Sequence, residues 1–269
     1  MTTEYTAIRF ELGESDVALL TFNRPNSMNS FDRALLEETH RAIESISNNE
    51  VKARALVITG EGRAFCAGAD LMAAQGQFAQ PRERRDFGGP LETHYHPIML
   101  ALRNLPVPFV TAVNGAAAGA GMSVALAGDM IVASENAYFL QAFKAIGLIP
   151  DAGATYMLPR MIGRARAMEL SFLGERLPAA KALEWGMINR VTPEGEALPE
   201  AMKLAKELAE GPTRAFALTR DLYWRSADAT FEEQLNYERQ AQRVATKTKD
   251  CEEGVMAFIQ KRKANYTGE

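Results

Sequence analysis

Apolar and polar positions follow two rhythms along this chain. Ile8–Leu12, which alternates with period two, and the apolar run Val17–Phe22, on either side of the turn residues 13–16, predict a β-hairpin. Asn23-Arg24-Pro25-Asn26 ends it. Asp32 then reads as the N-cap of an amphipathic helix running to about Ser47, with Leu35, Leu36, Thr39, Ile43 and Ile46 near helical spacing. A continuous apolar run over 55–59, closed by Gly60 and Gly62, predicts a buried strand, and 108–113 and 130–134 repeat the pattern. Helical patterns lie between these strands, so the fold class is α/β.

Two regions depart from that alternation. Residues 75–90 are polar with little periodicity, and read either as a mobile loop near an active-site entrance or as a surface excursion. From Leu198 onward strand patterns disappear, and 204–210, 214–224, 231–247 and 252–263 read as helices. The chain therefore divides into a core at 1–197 and a helical C-terminal region at 198–269.

Composition narrows the class. The 269 residues are 47% hydrophobic and 24% charged, with a net charge of −4 and so no basic surplus for nucleic acid. The start MTTEYTAIRF is too polar for a secretory h-region, and no apolar run reaches membrane-spanning length. Cys66 and Cys251 stand far apart in unlike contexts, which favours free thiols and a cytoplasmic location.

Chemistry concentrates in three segments. Arg63 to Asp70 follows a strand, and its small residues Ala67, Gly68 and Ala69 let a ligand approach the backbone, while Asp70 suits a helix cap. A tight turn into a helix explains the same residues. Gly115 to Gly121 also follows a strand and opens a helix, where backbone N–H groups can hold an anion, although close helix–strand packing explains some of its glycines equally well. Asp151 is the single carboxylate of a largely apolar loop, either an acid/base group or the N-cap of the next helix, with Phe143, Ile146, Leu148 and Ile149 offering apolar surroundings. His94 and His96 flank Tyr95 near the pocket mouth without further metal ligands, Asp129 reads as structural, Cys66 as a small packed residue, and Lys144 as a surface ion-pair partner.

Together, Asn23-Arg24-Pro25 with Asn29, FCAGADL at 65–71, AVNGAAAGAGMSVALAGD at 112–129, GLIPDAGATYMLPRMIG at 147–163 and ALEWGMINRV at 182–191 resemble the crotonase superfamily of enoyl-CoA hydratases and isomerases. The resemblance continues to the C-terminal EGVMAFIQKRKANYTG and covers nearly the whole chain. It implies a crotonase-like spiral of ββα units with a helical C-terminal region, assembled as a homotrimer or homohexamer. Carried over by motif position, the N–H groups of Ala69 and Ala120 form an oxyanion hole for a thioester enolate. Coenzyme A, part of the substrate rather than a separate cofactor, lies along Arg24 and the backbone of Ala67, Gly68, Ala69, Asp70 and Leu71. Phe258 and Lys261 complete a neighbouring subunit's pocket.

The hydratases of this family use two glutamates to hold and deprotonate water. Here those positions are Ser123 and Phe143, which become part of the substrate-binding surface and leave Asp151 as the proton carrier. The resemblance thus implies an acyl-CoA isomerase acting on a ring-epoxidised phenylacetyl-CoA or a 3-enoyl-CoA, with no metal or redox cofactor. An enoyl-CoA hydratase and a non-catalytic acyl-CoA-binding scaffold are the alternatives.

Overall fold

The computed structural model describes residues 5–73 and 75–269, so residues 1–4 of the assigned core lie outside the described residues. The predicted hairpin forms: β1 (Ile8–Leu12) and β2 (Val17–Phe22) pair antiparallel, with Ile8 opposite Phe22 and Leu12 opposite Ala18. Helix α1 (Arg33–Ser47) starts where the Asp32 side chain accepts the Leu35 N–H at 2.8 Å, which satisfies one of the first-turn donors. Strands β3 (Ala55–Gly60) and β4 (Ala64–Cys66) follow. The polar stretch after them holds the short helices α2 (Gln75–Phe78) and α3 (Gly88–Pro90), and a π-helical turn (Leu91–Tyr95) leads into α4 (His96–Arg103).

Two further ββα units come next: β5 (Phe109–Val113), β6 (Ala116–Ala118) and α5 (Ala120–Leu126), then β7 (Met130–Ser134), β8 (Tyr138–Leu140) and α6 (Ala154–Ile162). Helix α7 (Arg164–Leu173), β9 (Leu177–Pro178), α8 (Ala179–Glu184) and β10 (Arg190–Thr192) close the spiral. The larger sheet has the order β1-β2-β3-β5-β7-β10, parallel from β2 onward, and the smaller sheet the order β4-β6-β8-β9. Successive turns therefore feed alternately into two sheets, and the junctions between paired strands are where the site segments sit.

Side-chain alternation in the larger sheet divides the interior in two. Leu56 and Ile58 of β3, with Phe109 and Val113 of β5, face the main core, while Ala55, Val57, Val110, Ala112 and Val132 face the other way. The second face is covered by α9 (Ala197–Ala209), whose buried Ala197, Ala201, Leu204, Ala205 and Ala209 recur at helical spacing. A small-residue helix face lets α9 lie close to the sheet.

Helices α10 (Thr213–Ser226), α11 (Phe231–Ala245) and α12 (Lys249–Gln260) complete the chain, each within a few residues of its sequence-predicted bounds. Buried Arg220 pins α10 to the core: it pairs with Asp129 and donates to the main-chain oxygens of Leu105 and Val107, the latter at 2.7 Å. By contrast α11 buries no residue, and Phe231, Leu235, Val255, Phe258 and Ile259 on α11 and α12 are exposed. Among the described residues no helix is long and apolar enough to cross a membrane.

Candidate active site

The Ala69 turn is built by residues that precede and follow it. Asn29, fully buried with φ 55°, accepts the Arg24 N–H at 2.9 Å and donates to the main-chain oxygens of Glu61 and Ala64 at 2.9 and 2.8 Å. Asparagine tolerates this left-handed backbone, and three hydrogen bonds compensate the burial of its amide. The chain then runs to Phe31, whose N–H donates to Gly68 O at 2.7 Å and whose carbonyl accepts the Asp70 N–H at 2.9 Å. This bridge holds the residues on either side of Ala69.

Gly68 has φ +93°, and a Cβ there would come within 2.9 Å of Ala118 O, so only glycine fits. Gly119 has φ 52°, and a Cβ there would lie 3.8 Å from the Phe143 ring and 3.9 Å from Gly68 Cα. The two glycine turns therefore touch. Asp70 N–H is used by Phe31, and Met122 and Ser123 N–H donate to Gly119 O, while the N–H groups of Ala69 and Ala120 donate to no acceptor among the described residues. Ala120 is the first residue of α5, where a helix leaves its donors open.

Arg24 and Asp70 brace this turn from outside. The Arg24 guanidinium is shared between Asp32 and Asp70, each at 3.1 Å, and also donates to Ser30 O. Asp70 Oδ1 accepts the N–H groups of Met72 and Ala73 at 3.1 and 3.2 Å, a local turn rather than a cap on a long helix. Leu71 is exposed beside it.

Asp151 lies beyond a 3₁₀ turn (Ala142–Ile146) that carries the buried Phe143. Its side chain does not cap the following helix: α6 has Gly153 as N-cap, with no side-chain acceptor. What holds the loop is main-chain bonding, with Ala154 N–H donating to Asp151 O at 3.0 Å and Ser123 Oγ donating to the same oxygen at 3.0 Å. The carboxylate is thereby left for other work. Asp151 Oδ1 is buried without a hydrogen-bond partner among the described residues. Burial pushes its pKa up to about 6, opposed by the nearby His96. Ala152 next to it has φ 47°, a left-handed conformation that costs an alanine energy and persists because both neighbours are fixed.

The apolar surroundings differ from the sequence expectation. Phe143 is buried, but Ile146, Leu148 and Ile149 are exposed, Ile149 by 80%, because left-handed Gly147 turns the chain outward. The structure also does not bring Phe258 and Lys261 into this group: Phe258 is 85% exposed and Lys261 ends α12. Ser123 is fully buried, with its hydroxyl committed to Asp151 O. Lys144 donates to Leu173 O at 3.1 Å rather than joining an ion pair, and Asp129 is occupied by Arg220. Cys66 is a buried free thiol whose pKa burial pushes up to about 12, which makes it inert at neutral pH. No cluster of three or more metal-ligating side chains occurs among the described residues.

Sequence reasoning placed His94, Tyr95 and His96 near the pocket mouth but gave Tyr95 and His96 no part beside the carboxylate. Tyr95 is buried against Phe31, and His96 acts electrostatically on Asp151.

Helix α5 links the two halves of the site. Its first residue supplies an open N–H, and Ser123, one turn on, anchors Asp151. Two backbone donors can stabilise an oxygen anion, and an unpaired carboxylate can move the proton that creates it. The enoyl-CoA hydratase/isomerase family matches residues 13–269. The 1,2-epoxyphenylacetyl-CoA isomerase of Escherichia coli (strain K12) is 41% identical over 95% of this chain and 96% of that protein. The 2,3-dehydroadipyl-CoA hydratase of the same organism is 32% identical over 94% and 95%. An enoyl-CoA hydratase structure from Bacillus anthracis superposes with a TM-score of 0.90 at 33% identity, covering 98% of this chain and 100% of that one. The chain belongs to the enoyl-CoA hydratase/isomerase family and has the crotonase fold.

Proposed function

We propose that this protein is an acyl-CoA isomerase that moves a proton through a thioester enolate, with 1,2-epoxyphenylacetyl-CoA as the favoured substrate and a 3-enoyl-CoA as the second. The observation that carries this reading is the half-buried carboxylate of Asp151, which has no hydrogen-bond partner among the described residues, whereas the other acid of the site, Asp70, is held by Arg24. The thioester oxygen accepts from Ala69 and Ala120 N–H, the carboxylate removes a proton from the carbon next to the carbonyl, and the same carboxylic acid returns the proton further along the acyl group. With the ring epoxide, the bond between the two epoxide carbons opens to give the oxepin, and the proton returns to a ring carbon of it. Isomerisation needs one proton carrier that works twice. Hydration needs a held water as well as a proton donor, and Ser123 and Phe143 supply neither, the first being committed to Asp151 O and the second inert. The 41% identity to an epoxyphenylacetyl-CoA isomerase supports the choice of substrate.

Proton transfer of this kind requires no metal or redox cofactor beyond the coenzyme A that arrives with the substrate. The exposed apolar side chains of α11 and α12 fit burial between subunits, so we take the active form as a homotrimer or homohexamer in which Phe258 and Lys261 reach a neighbour's pocket. Two free cysteines fit a cytoplasmic setting.

A turnover screen with epoxyphenylacetyl-CoA, 3-enoyl-CoA and 2-enoyl-CoA tests the reading. Products of unchanged mass are expected from the first two. Rapid gain of one water by 2-enoyl-CoA, with no isomerase activity, overturns it in favour of a hydratase.

A further inference from the structure

Tyr95 has no assigned role in the chemistry above, yet it is placed among the site residues. It ends the π-helical turn (Leu91–Tyr95) and is 7% exposed. Its ring meets Phe31 edge-on, with centroids 5.8 Å apart, and Phe31 is the residue whose main chain brackets the Ala69 turn. The ring thus packs under the oxyanion segment. Burial raises the pKa of its phenol, and Cys66, Asp151 and Asp70, which belong to the two halves of the site, act on it in the same direction.

The ring of Tyr95 is buried, but its hydroxyl is not among the fully buried orphan atoms and makes no hydrogen bond among the described residues, so it is open to a ligand. Tyrosine hydroxyls in folded proteins ordinarily find a hydrogen-bond partner, as that of the partly buried Tyr156 does with Asp228 at 3.1 Å. Apart from the Asp151 carboxylate, the polar groups nearby are engaged: Ser123 Oγ by Asp151 O, Asp70 by Arg24 and its own turn, and Cys66 Sγ by the Gly68 N–H at 3.4 Å. A neutral donor left open next to the base and the oxyanion turn is suited to a ligand oxygen.

We propose that Tyr95 is a specificity-determining residue whose hydroxyl donates to an oxygen carried by the acyl group, so that the site selects oxygen-bearing acyl-CoA thioesters over plain hydrocarbon ones. This rests on the acyl-CoA reading of the site. The phenol keeps its proton throughout, and Asp151 alone exchanges one with substrate. The contribution is selective because a site with an open donor binds less well a ligand that leaves the donor unpaired.

The test is binding, so that it does not depend on turnover. Dissociation constants of 2-hydroxyphenylacetyl-CoA and phenylacetyl-CoA are measured by calorimetry for the unaltered protein and for Tyr95→Phe, which keeps the ring on Phe31. The unaltered protein should prefer the oxygen-bearing ligand by about tenfold, the worth of one neutral hydrogen bond, and the variant should bind both with similar affinity. A preference that is absent in the unaltered protein, or that survives Tyr95→Phe, overturns the proposal. So does an equal loss of affinity for both ligands, which would assign Tyr95 to packing. Failure of the isomerase reading appears separately, as absence of isomerised product with the binding preference intact.

Discussion

The hydroxyl of Ser123 donates to the main-chain oxygen of Asp151 at 3.0 Å, across 28 residues of sequence. At the position where hydratases of the family carry a glutamate, this chain has a residue that holds another loop in place. The bond fixes the backbone and leaves the carboxylate without a partner. Position and reactivity are thus supplied by different atoms of the same residue.

Removing that tie should loosen the loop while leaving the base intact. Ser123→Ala removes one buried neutral hydrogen bond and leaves the Asp151 carbonyl short of a donor, a cost of about 1–3 kcal/mol. Steady-state kinetics should show kcat lowered several-fold with little change in KM, accompanied by a lower melting temperature. An unchanged kcat would mean that the loop is held by its own turn geometry alone.

Arg220 should matter to stability and not to chemistry. Its guanidinium joins Asp129 and the carbonyls of Leu105 and Val107 while 7% exposed. Arg220→Ala leaves two main-chain carbonyls without this donor, while the solvent-accessible Asp129 keeps the Phe109 N–H. The loss should cost about 1–3 kcal/mol in denaturant unfolding. Any folded fraction of the variant should retain near-normal kcat per active site.

These two contacts show where sequence reading stops. The strand β3 and the helix α1 were legible because an apolar run and a 3.6-residue stripe announce burial on two faces and on one. The short strands β4, β6 and β8 were not, since Ala116–Ala118 has no strand-like side chains and becomes a strand only by pairing in the smaller sheet. Ala69, Ala120 and Asp151 were found through motif resemblance, with local sequence leaving Asp151 equally suited to a cap. The structure removes the cap, because Gly153 is the N-cap of α6 and Asp151 Oδ1 has no partner among the described residues. The Arg220–Asp129 pair spans 91 residues and carries no local signature, so only Asp129's structural character was legible. The outward course of Ile149 depends on the left-handed Gly147, which hydrophobicity alone cannot reveal.

The raised pKa of Asp151 predicts opposite trends in activity and stability with pH. The base must be ionised to accept a proton, so kcat/KM should rise with pH through a midpoint near 6. An unfolded aspartate ionises near pH ~4, so between ~4 and the folded value near 6 the native state holds a proton that the unfolded chain has released. Stability contributed by this group is therefore present below that window and lost as pH rises through it. Above pH 6 the ionised carboxylate should cost the fold about 2 kcal/mol, visible as a higher melting temperature for Asp151→Asn than for the unaltered protein at pH 8 and as no such gain at pH 4.

The most direct test of the account is kcat of Asp151→Asn at pH 8 on the best substrate of the turnover screen, measured beside acyl-CoA affinity. Asparagine keeps the size of the side chain and removes the base. Loss of the proton carrier predicts a fall in kcat of about two to four orders of magnitude, with affinity little changed because the open N–H groups of Ala69 and Ala120 remain. A variant that keeps near-normal kcat would contradict the account, since no other residue here is assigned to carry the proton.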